Sequence, residues 1–193
     1  MKIDLHVHAS ERSACAVANE EAMIIAAAAA GLDALVFTDH HRLVNAWRLE
    51  RLNAEYAPFR VYSGIEITAD DEDWLVFGVQ DPALESLDWR YPALAAFVRS
   101  RGGYIALAHP FRYDPRIHVD LAACPPDAIE ISSNNTPRAR EAQIRGSAER
   151  LGLALLRNSD AHSTASLGRF YNEIPITLDG DRGLVASLRA VKG

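Results

Sequence analysis

The sequence is poor in cysteine and has no long apolar run. The two cysteines, Cys15 and Cys124, lack the paired spacing of a thiolate zinc site or a disulfide framework. No apolar stretch approaches the roughly 20 residues that a membrane-spanning helix needs, and no secretory signal pattern precedes the first predicted strand. We therefore expect a cytoplasmic protein with reduced thiols and no membrane partner.

The sequence also lacks a basic excess. Its formal net charge is −6, whereas a surface dedicated to nucleic acid is usually basic. We therefore do not expect nucleic acid as a dedicated partner. A small phosphorylated substrate is compatible with this charge, because a bound metal ion reverses the local sign. The 193 residues fit one domain spanning residues 1–193, and nothing in the sequence indicates its oligomeric state.

The first ten residues alternate between apolar and polar side chains. This period of two predicts a strand with one aliphatic face and one face that carries Asp4, His6 and His8. A surface strand with polar residues outward would show the same alternation. A functional interpretation is favoured because several later apolar runs also end in residues of the metal-ligand type.

Six further apolar segments of the buried-strand type follow, and predicted helices separate most of them. The predicted strands span 34–38, 61–68, 74–79, 104–108, 127–132 and 153–156, with a further short one within 170–174. The predicted helices span 20–30, 44–56, 92–101, 137–151 and 183–191. This alternation indicates an α/β fold with a parallel sheet. Seven buried strands predict a closed or nearly closed (β/α)7 barrel of the TIM-barrel type, with some helices reduced to loops because the chain is short.

Histidine, aspartate and glutamate recur at or near the predicted carboxyl ends of the strands. In a (β/α) barrel these ends share one rim, so residues far apart in the chain should meet there. Imidazole and carboxylate together are ligands for zinc, manganese or iron. The residues concerned are His6, His8, Asp39, His40, Glu66, His109, Asp160 and His162.

The spacing of these residues indicates more than one ion. His6 and His8 lie two apart, so both can reach the same ion, and Asp160 and His162 have the same spacing. Glu66 has two oxygens and can bridge two ions. Two ions about 3.5–4 Å apart would hold a hydroxide and clamp a phosphoryl group.

Several polar side chains near this rim are candidates for substrate binding. Arg12, Arg42 and Arg112 each follow a candidate ligand motif, and guanidinium groups suit phosphate oxygens. Arginines are also common in solvated loops. Asn134 and Asn135 could donate hydrogen bonds to a substrate or simply form a turn.

Five short motifs in order resemble those of the polymerase and histidinol phosphatase (PHP) domain family. They are Asp4-Leu-His-Val-His8, Thr38-Asp-His40, Gly64-Ile-Glu66, His109-Pro110 and Ser159-Asp-Ala-His162. The resemblance spans nearly the whole chain. It implies a distorted seven-stranded barrel, two or three metal ions and hydrolysis of phosphoesters.

The resemblance also implies a division of the ligands among ions. His6, His8, Glu66 and Asp160 would form a first site, Glu66 and His109 would belong to a second, and His40 and His162 to a third.

The sequence departs from the family pattern at two places. Asp73 stands where family members often have a histidine of the second site, and a carboxylate there favours manganese or iron over zinc. Ser13 and Ala14 occupy positions where the family usually offers a histidine or aspartate to the third site. We therefore expect two tightly bound ions, with the third weak or absent.

These observations favour a metal-dependent phosphoesterase that acts on a small phosphorylated metabolite through a hydroxide held between two ions. His162 or His40, if free of metal, would protonate the leaving oxygen. We also assign Asp39 to the predicted catalytic residues, as a carboxylate that holds a neighbouring histidine in one tautomer. Glu130, on the sixth strand, is a candidate partner for a histidine of the rim.

Two other functions remain open. A metal-dependent amidohydrolase would use a similar ligand set, although no lysine lies at the end of a middle strand, where many such enzymes have a carbamylated one. A non-catalytic interaction module that retains metal for stability is the second alternative.

Overall fold

The described residues of the computed structural model, 1–175 and 180–190, form one eight-stranded sheet around which the helices pack. Neighbouring strands follow chain order from β7 to β1, and β8 lies on the other side of β1. The strands are β1 (Lys2–Val7), β2 (Ala34–Phe37), β3 (Arg60–Ala69), β4 (Glu72–Phe77), β5 (Tyr104–Leu107), β6 (Ala128–Ser132), β7 (Ala154–Arg157) and β8 (Asn172–Glu173). The helices are α1 (Glu20–Ala29), α2 (Ala46–Glu55), α3 (Tyr91–Ser100), α4 (Glu141–Leu151) and α5 (Asp181–Ala190).

The ends of the helices follow from local sequence. The side chain of Asn19 accepts a hydrogen bond from Ala22 N at the start of α1, and Asn45 does the same for Arg48 N in α2. Gly152 ends α4 in the left-handed conformation, with φ of 66°. The last predicted helix is confirmed as α5, while Val191, its predicted end, lies outside the described residues.

Contacts between the first and last strands make the barrel nearly closed, as the sequence predicts. Val7 at the end of β1 forms a parallel bridge with Ala161, just beyond β7. The side chain of Asn172 in β8 accepts a hydrogen bond from Arg157 N and donates one to Arg157 O. The short strand β8 lies within the segment 170–174 where a further strand was expected.

The direction of β4 differs from the expectation of a parallel sheet. β4 is antiparallel to both β3 and β5, and β8 is antiparallel to β1, while the other pairs are parallel. Asp70 and Asp71 alone connect β3 to β4, in the left-handed region with φ of 53° and 63°. Such a connection makes a tight hairpin, because parallel strands need a crossover of about a dozen residues. The amino end of β4, with Asp73, therefore lies at the rim formed by the carboxyl ends of the parallel strands.

The simple alternation predicted for β1 is also interrupted. Its register against β2 shifts between Asp4 and Val7, which indicates a bulge. Ile3 and Leu5 pack with side chains from the other six long strands and from α5, in the barrel interior. Val7 packs instead in the layer that contains residues of α1 and α2. The bulge thus changes which side chains face inward just where the histidines begin.

No helix in the described ranges is long and apolar enough to span a membrane.

Candidate metal centre

Glu66 lies at the centre of a cluster of four imidazoles. Its side chain is 1% exposed, and it projects from β3 towards the carboxyl-end rim. Oε1 lies 3.0 Å from His109 Nε2 and 3.3 Å from His6 Nε2. Oε2 lies 2.9 Å from His40 Nδ1 and 3.3 Å from His8 Nε2. The structure therefore gathers imidazoles from the ends of three strands, β1, β2 and β5, around one carboxylate of β3.

Asp160 approaches the same cluster from the loop after β7. Its Oδ1 lies 3.4 Å from His6 Nε2 and 3.3 Å from His8 Nε2, and its Oδ2 lies 3.9 Å from His109 Nε2. The backbone of Asp160 is in the left-handed region, with φ of 50°. Asp160 and Glu66 thus contact His6 and His8 together, as the first predicted site requires.

The buried polar atoms of this cluster have the properties of ligand atoms for a divalent cation. His6 Nε2, His8 Nε2 and Asp160 Oδ1 are buried and make no hydrogen bond to any described residue. Leaving such atoms unpaired is costly, and nitrogen and carboxylate oxygen are the donors that zinc, manganese and iron accept. The residues therefore fit divalent metal.

The cluster contains four groups of three potential ligands whose atoms lie within 4.8 Å of one another. The group His6, His8 and Glu66, which Asp160 also contacts, corresponds to the predicted first site. The group Glu66, Asp73 and His109 corresponds to the second. A further group corresponds to the third and consists of three imidazoles without a carboxylate. The groups are His6, His8 and Glu66; His6, His109 and Asp160; Glu66, Asp73 and His109; and His8, His40 and His162.

Asp73 reaches the cluster from β4. Its Oδ2 lies 3.8 Å from His109 Nε2, and its Oδ1 accepts a hydrogen bond of 2.5 Å from Thr68 Oγ1. The hairpin between β3 and β4 places Thr68 directly opposite Asp73. The structure thus puts a carboxylate at the position where the family often has a histidine.

Glu130, in β6, orients the imidazole ring of His6. His6 Nδ1 lies 3.1 Å from Glu130 Oε1, which also accepts a 2.8 Å hydrogen bond from Asn158 Nδ2. The other oxygen of Glu130 accepts a 2.8 Å bond from His109 N. Because a carboxylate accepts hydrogen bonds, Nδ1 of His6 carries the proton and Nε2 is left for a metal. Glu130 is thus a partner of a rim histidine, the role for which its place on the sixth strand makes it a candidate.

Asp39 acts on the cluster through Ser13. Ser13 Oγ donates a 2.6 Å hydrogen bond to Asp39 Oδ1, and it lies 3.3 Å from His8 Nδ1. Asp39 is fully buried and also accepts hydrogen bonds from Ala9 N and Arg12 Nε. Asp39 thus positions His8 through the hydroxyl of Ser13. The sequence does not predict this contact, because Ser13 stands out only as a position where the family usually has a metal ligand.

Burial and charge act in opposite directions on the ionisable groups. Burial alone would lower the pKa of His6, but the carboxylates of Asp160, Glu66 and Glu130 raise that pKa well above its usual value. Burial would raise the pKa of Glu66, yet the neighbouring imidazoles hold it well below its usual value. The metal-free cluster is therefore a network of ionised carboxylates that retains a proton on imidazole.

The structure brings one of the three candidate arginines to the cluster. Arg112 NH1 lies 3.3 Å from His109 Nε2 and 3.5 Å from Asp160 Oδ2. Arg12 is 13% exposed and its guanidinium pairs with Asp39 and Glu20. These pairs give Arg12 a structural role, and its part in substrate binding stays a prediction.

Two other candidates for substrate binding have partners outside the cluster. Arg42 pairs with Glu85 at 3.3 Å and is well exposed. Asn134 Nδ2 donates to the backbone oxygen of Ser159. Its neighbour Asn135 instead donates to Asp160 Oδ2 at 2.5 Å, so Asn135 is the amide that reaches the cluster.

Comparison with known proteins supports the same class of fold. Residues 142–192 match a family model described as PHP-associated, and comparison with curated proteins finds no match. A proposed metal-dependent phosphoesterase from Bifidobacterium adolescentis is 15% identical, with a TM-score of 0.71 over 89% of this chain and 92% of that chain. The resemblance to the PHP domain family is therefore confirmed.

Two other similar structures carry different functional names. An amidohydrolase from Chromobacterium violaceum with bound sulfate is 16% identical, with a TM-score of 0.68 over 98% of this chain and 96% of that chain. A lesion-specific endonuclease from Pyrococcus furiosus is 18% identical, with a TM-score of 0.68 over 100% of this chain and 56% of that chain. At these identities the likeness establishes the fold, and the substrate must be argued from this chain's own residues.

Proposed function

We propose that this protein is a metal-dependent phosphoesterase that hydrolyses a small phosphorylated metabolite. The observation that supports this most directly is Glu66, a buried carboxylate within 3.3 Å of nitrogens of His6, His8, His40 and His109. Arg112 stands beside the cluster, at 3.5 Å from Asp160. A metal cluster with an adjacent guanidinium suits a phosphoryl group, which carries several negatively charged oxygens.

The protein's own residues would divide the work of the reaction. When bound, two divalent ions supply a nucleophile at neutral pH and polarise the phosphoryl oxygens. Glu130 and the Ser13–Asp39 pair hold His6 and His8 in the orientation for metal binding. Arg112 would bind a phosphoryl oxygen and stabilise the charge that develops on it.

Two imidazoles are placed to donate a proton to the leaving oxygen. His40 and His162 have side chains that are 37% and 26% exposed, unlike the buried His6 and His8. A general acid must reach the substrate from the solvent side of the centre. His162 is the better candidate of the two, because His40 already contacts Glu66 at 2.9 Å.

The proposed metal is manganese or iron, in two ions with a third weak or absent. Asp73 adds a hard carboxylate oxygen to Glu66 and His109 in the second group. The third group, His8, His40 and His162, has no carboxylate of its own to offset the charge of an ion. A small substrate is favoured over nucleic acid by the net charge of −6.

The test of this function compares Glu66→Ala with Glu85→Ala, a matched control whose carboxylate pairs with the exposed Arg42. Both proteins would be loaded with manganese and assayed on an aryl phosphate, with bound metal measured by mass spectrometry. We expect Glu66→Ala to lose at least about 100-fold in rate, as removal of a catalytic electrostatic group does, together with most of its metal. Equal rates for Glu66→Ala and the unsubstituted protein would refute the assignment.

The same samples separate the alternatives. Hydrolysis of amides or lactones without phosphatase activity would instead identify an amidohydrolase, the name carried by one similar structure. No described residue at the end of a middle strand is a lysine, which disfavours an amidohydrolase with a carbamylated lysine. Full metal loading with no hydrolysis of either class would indicate a non-catalytic module.

A further inference from the structure

A polar cavity lies next to the candidate metal centre, at the carboxyl ends of β6 and β7. It has a volume of about 260 Å³. Hydroxyl groups, guanidinium groups and one aromatic ring line most of it, from Ser132, Ser133, Thr136, Arg138, Arg157 and Phe170. None of these residues belongs to the metal-ligand groups described above.

A single turn, residues 133–136, separates this cavity from the metal centre. On one side of the turn Asn135 Nδ2 donates to Asp160 Oδ2 at 2.5 Å. On the other side Ser133 and Thr136 line the cavity, and their hydroxyls bond to each other at 2.8 Å. Arg157 precedes Asp160 by three residues, which is at most about 11 Å of extended chain. The cavity and the metal centre are therefore adjacent.

The arginines of this cavity have no carboxylate partner among the described residues. The guanidinium of Arg138 makes no hydrogen bond or ion pair there, and that of Arg157 donates to Ser132 Oγ at 3.0 Å. Ser132 can still donate its own proton into the cavity. They differ in this from Arg12, Arg42, Arg48, Arg90, Arg101 and Arg112, each of which lies within 4.0 Å of a carboxylate.

The one acidic residue of the cavity is already paired. Glu141 Oε1 lies 3.3 Å from Arg145 NH2, one helical turn along α4. The local balance of Arg138, Arg157, Glu141 and Arg145 is therefore two positive charges. Such a surface left without a counter-charge favours an anion.

We propose that this cavity is a second oxyanion site that binds a phosphate or sulfate group. Guanidinium forks and a hydroxyl donor are the groups that recognise tetrahedral oxyanions. The volume of about 260 Å³ exceeds several times the roughly 30 Å³ share of a water molecule, but it falls below the 300–1,000 Å³ of sites for whole drug-sized ligands. The cavity therefore suits one anionic group and not an entire large ligand.

The oxyanion has two possible sources. It can be a second phosphate of the same substrate whose first phosphate lies at the metal centre, an assignment that rests on the proposed function. It can also be free inorganic phosphate. Both sources use the same donors.

The binding site itself can be tested without any activity. Crystals of the manganese-loaded full chain would be soaked in selenate, whose anomalous scattering locates the ion. We expect selenate beside Arg138 and Arg157, and its loss in Arg138→Gln/Arg157→Gln. Selenate absent from this cavity, or retained unchanged in the double variant, would overturn the proposal even if the phosphoesterase assignment fails.

Kinetics would then distinguish the two sources. On a substrate with two phosphates, we expect the double variant to raise KM by at least about tenfold, the usual effect of losing a charge-assisted hydrogen bond. Its KM on an aryl monophosphate would stay within about twofold. If free phosphate is the ligand, the double variant would instead change only the concentration of phosphate that alters aryl phosphatase activity.

The controls keep these outcomes separable. Arg101→Gln removes one charge, as Arg138→Gln does, from an exposed arginine that pairs with Asp81 at 3.0 Å, and it should leave every readout unchanged. Arg138→Gln alone removes no hydrogen bond, so its folding is not at risk. An equal rise of KM on both substrates would contradict a subsite for a second phosphate.

Discussion

Glu130 shows how much of the centre depends on residues that need not touch a metal. It is fully buried and accepts hydrogen bonds from the His6 ring, from Asn158 and from His109 N. These bonds fix one ligand by its ring and another by its backbone. Partners of this kind commonly set metal affinity as strongly as the direct ligands do.

The substitution Glu130→Gln should therefore weaken metal binding while preserving volume. An amide can offer His6 a neutral oxygen but not a carboxylate, so we expect about 10–100-fold lower affinity for manganese. Competition with a fluorescent chelator would measure it. Glu85→Gln, at an exposed carboxylate, is the control, and equal affinities for the two variants would contradict this role.

Substitution of Arg12 should lower stability, whereas substitution of Arg112 should weaken substrate binding. Arg12→Met would leave the buried Asp39 and Glu20 without one of their cationic partners, which we expect to cost about 3 kcal/mol in the free energy of unfolding. Its KM for an aryl phosphate should not change. Arg112→Met should do the reverse, raising KM about tenfold with little change in stability.

Denaturant unfolding and steady-state kinetics on both variants would check this pair. A higher KM for Arg12→Met at unchanged stability would restore the substrate-binding role predicted from its sequence position. The sequence predicts that these histidines and carboxylates lie together, because the carboxyl ends of parallel strands meet at one rim. It could not separate Arg12 from Arg112, since the pairing of Arg12 with Asp39 and Glu20 depends on tertiary contacts.

At the scale of single elements, the packing of β3 depends on Gly64. A Cβ atom added there would lie 2.8 Å from the backbone oxygen of Val76 in β4 and 3.0 Å from side-chain atoms of Thr38 and Val36. Backbone cannot move aside as a flexible side chain can. Glu66 lies two residues further along the same strand.

The substitution Gly64→Ala should consequently destabilise the fold by about 1–3 kcal/mol, the usual cost of overpacking, and lower manganese affinity by displacing Glu66. Gly146→Ala is the matched change in α4, where the nearest atom is the end of Arg150 at 3.4 Å. It should stabilise the protein by up to about 1 kcal/mol through helix propensity. Thermal unfolding would measure both, and equal shifts would contradict the packing argument.

The elements also show where sequence patterns lose information. Each predicted helix and long strand is present, because apolar periodicity and caps such as Asn19 are local signals. The prediction of a parallel sheet misses the antiparallel direction of β4. It takes Asp70 and Asp71 as an acidic turn and not as the two-residue loop of a hairpin. The bulge in β1 leaves no local signal, since it depends on pairing with β2.

At the scale of the whole molecule, acid and metal should compete for the same cluster. The pKa of His6 is raised in the folded, metal-free state, so its contribution to stability is present below about pH 6.5, the unfolded value, and is lost as pH rises through the raised pKa. The pKa values of Glu66 and Asp160 are lowered, so their contributions are present above about pH 4 and are lost as pH falls.

Metal-free protein should therefore be most stable in mildly acidic solution, and saturation with manganese should move the maximum upward in pH. A metal ion requires a neutral imidazole, so binding releases protons and strengthens as pH rises. At 100 times the dissociation constant, the ion would add about 2.7 kcal/mol. Melting temperatures measured against pH with chelator and with manganese would test this, and two coincident curves would contradict it.

The bridge between Val7 and Ala161 brings together segments from opposite ends of the chain. During synthesis on the ribosome, His6 and His8 emerge long before Asp160 and His162 are translated. A nascent chain can therefore present an isolated pair of histidines, but not the completed centre. If these residues bind metal as proposed, stable capture would be a late event, coupled to the arrival of the final long strand.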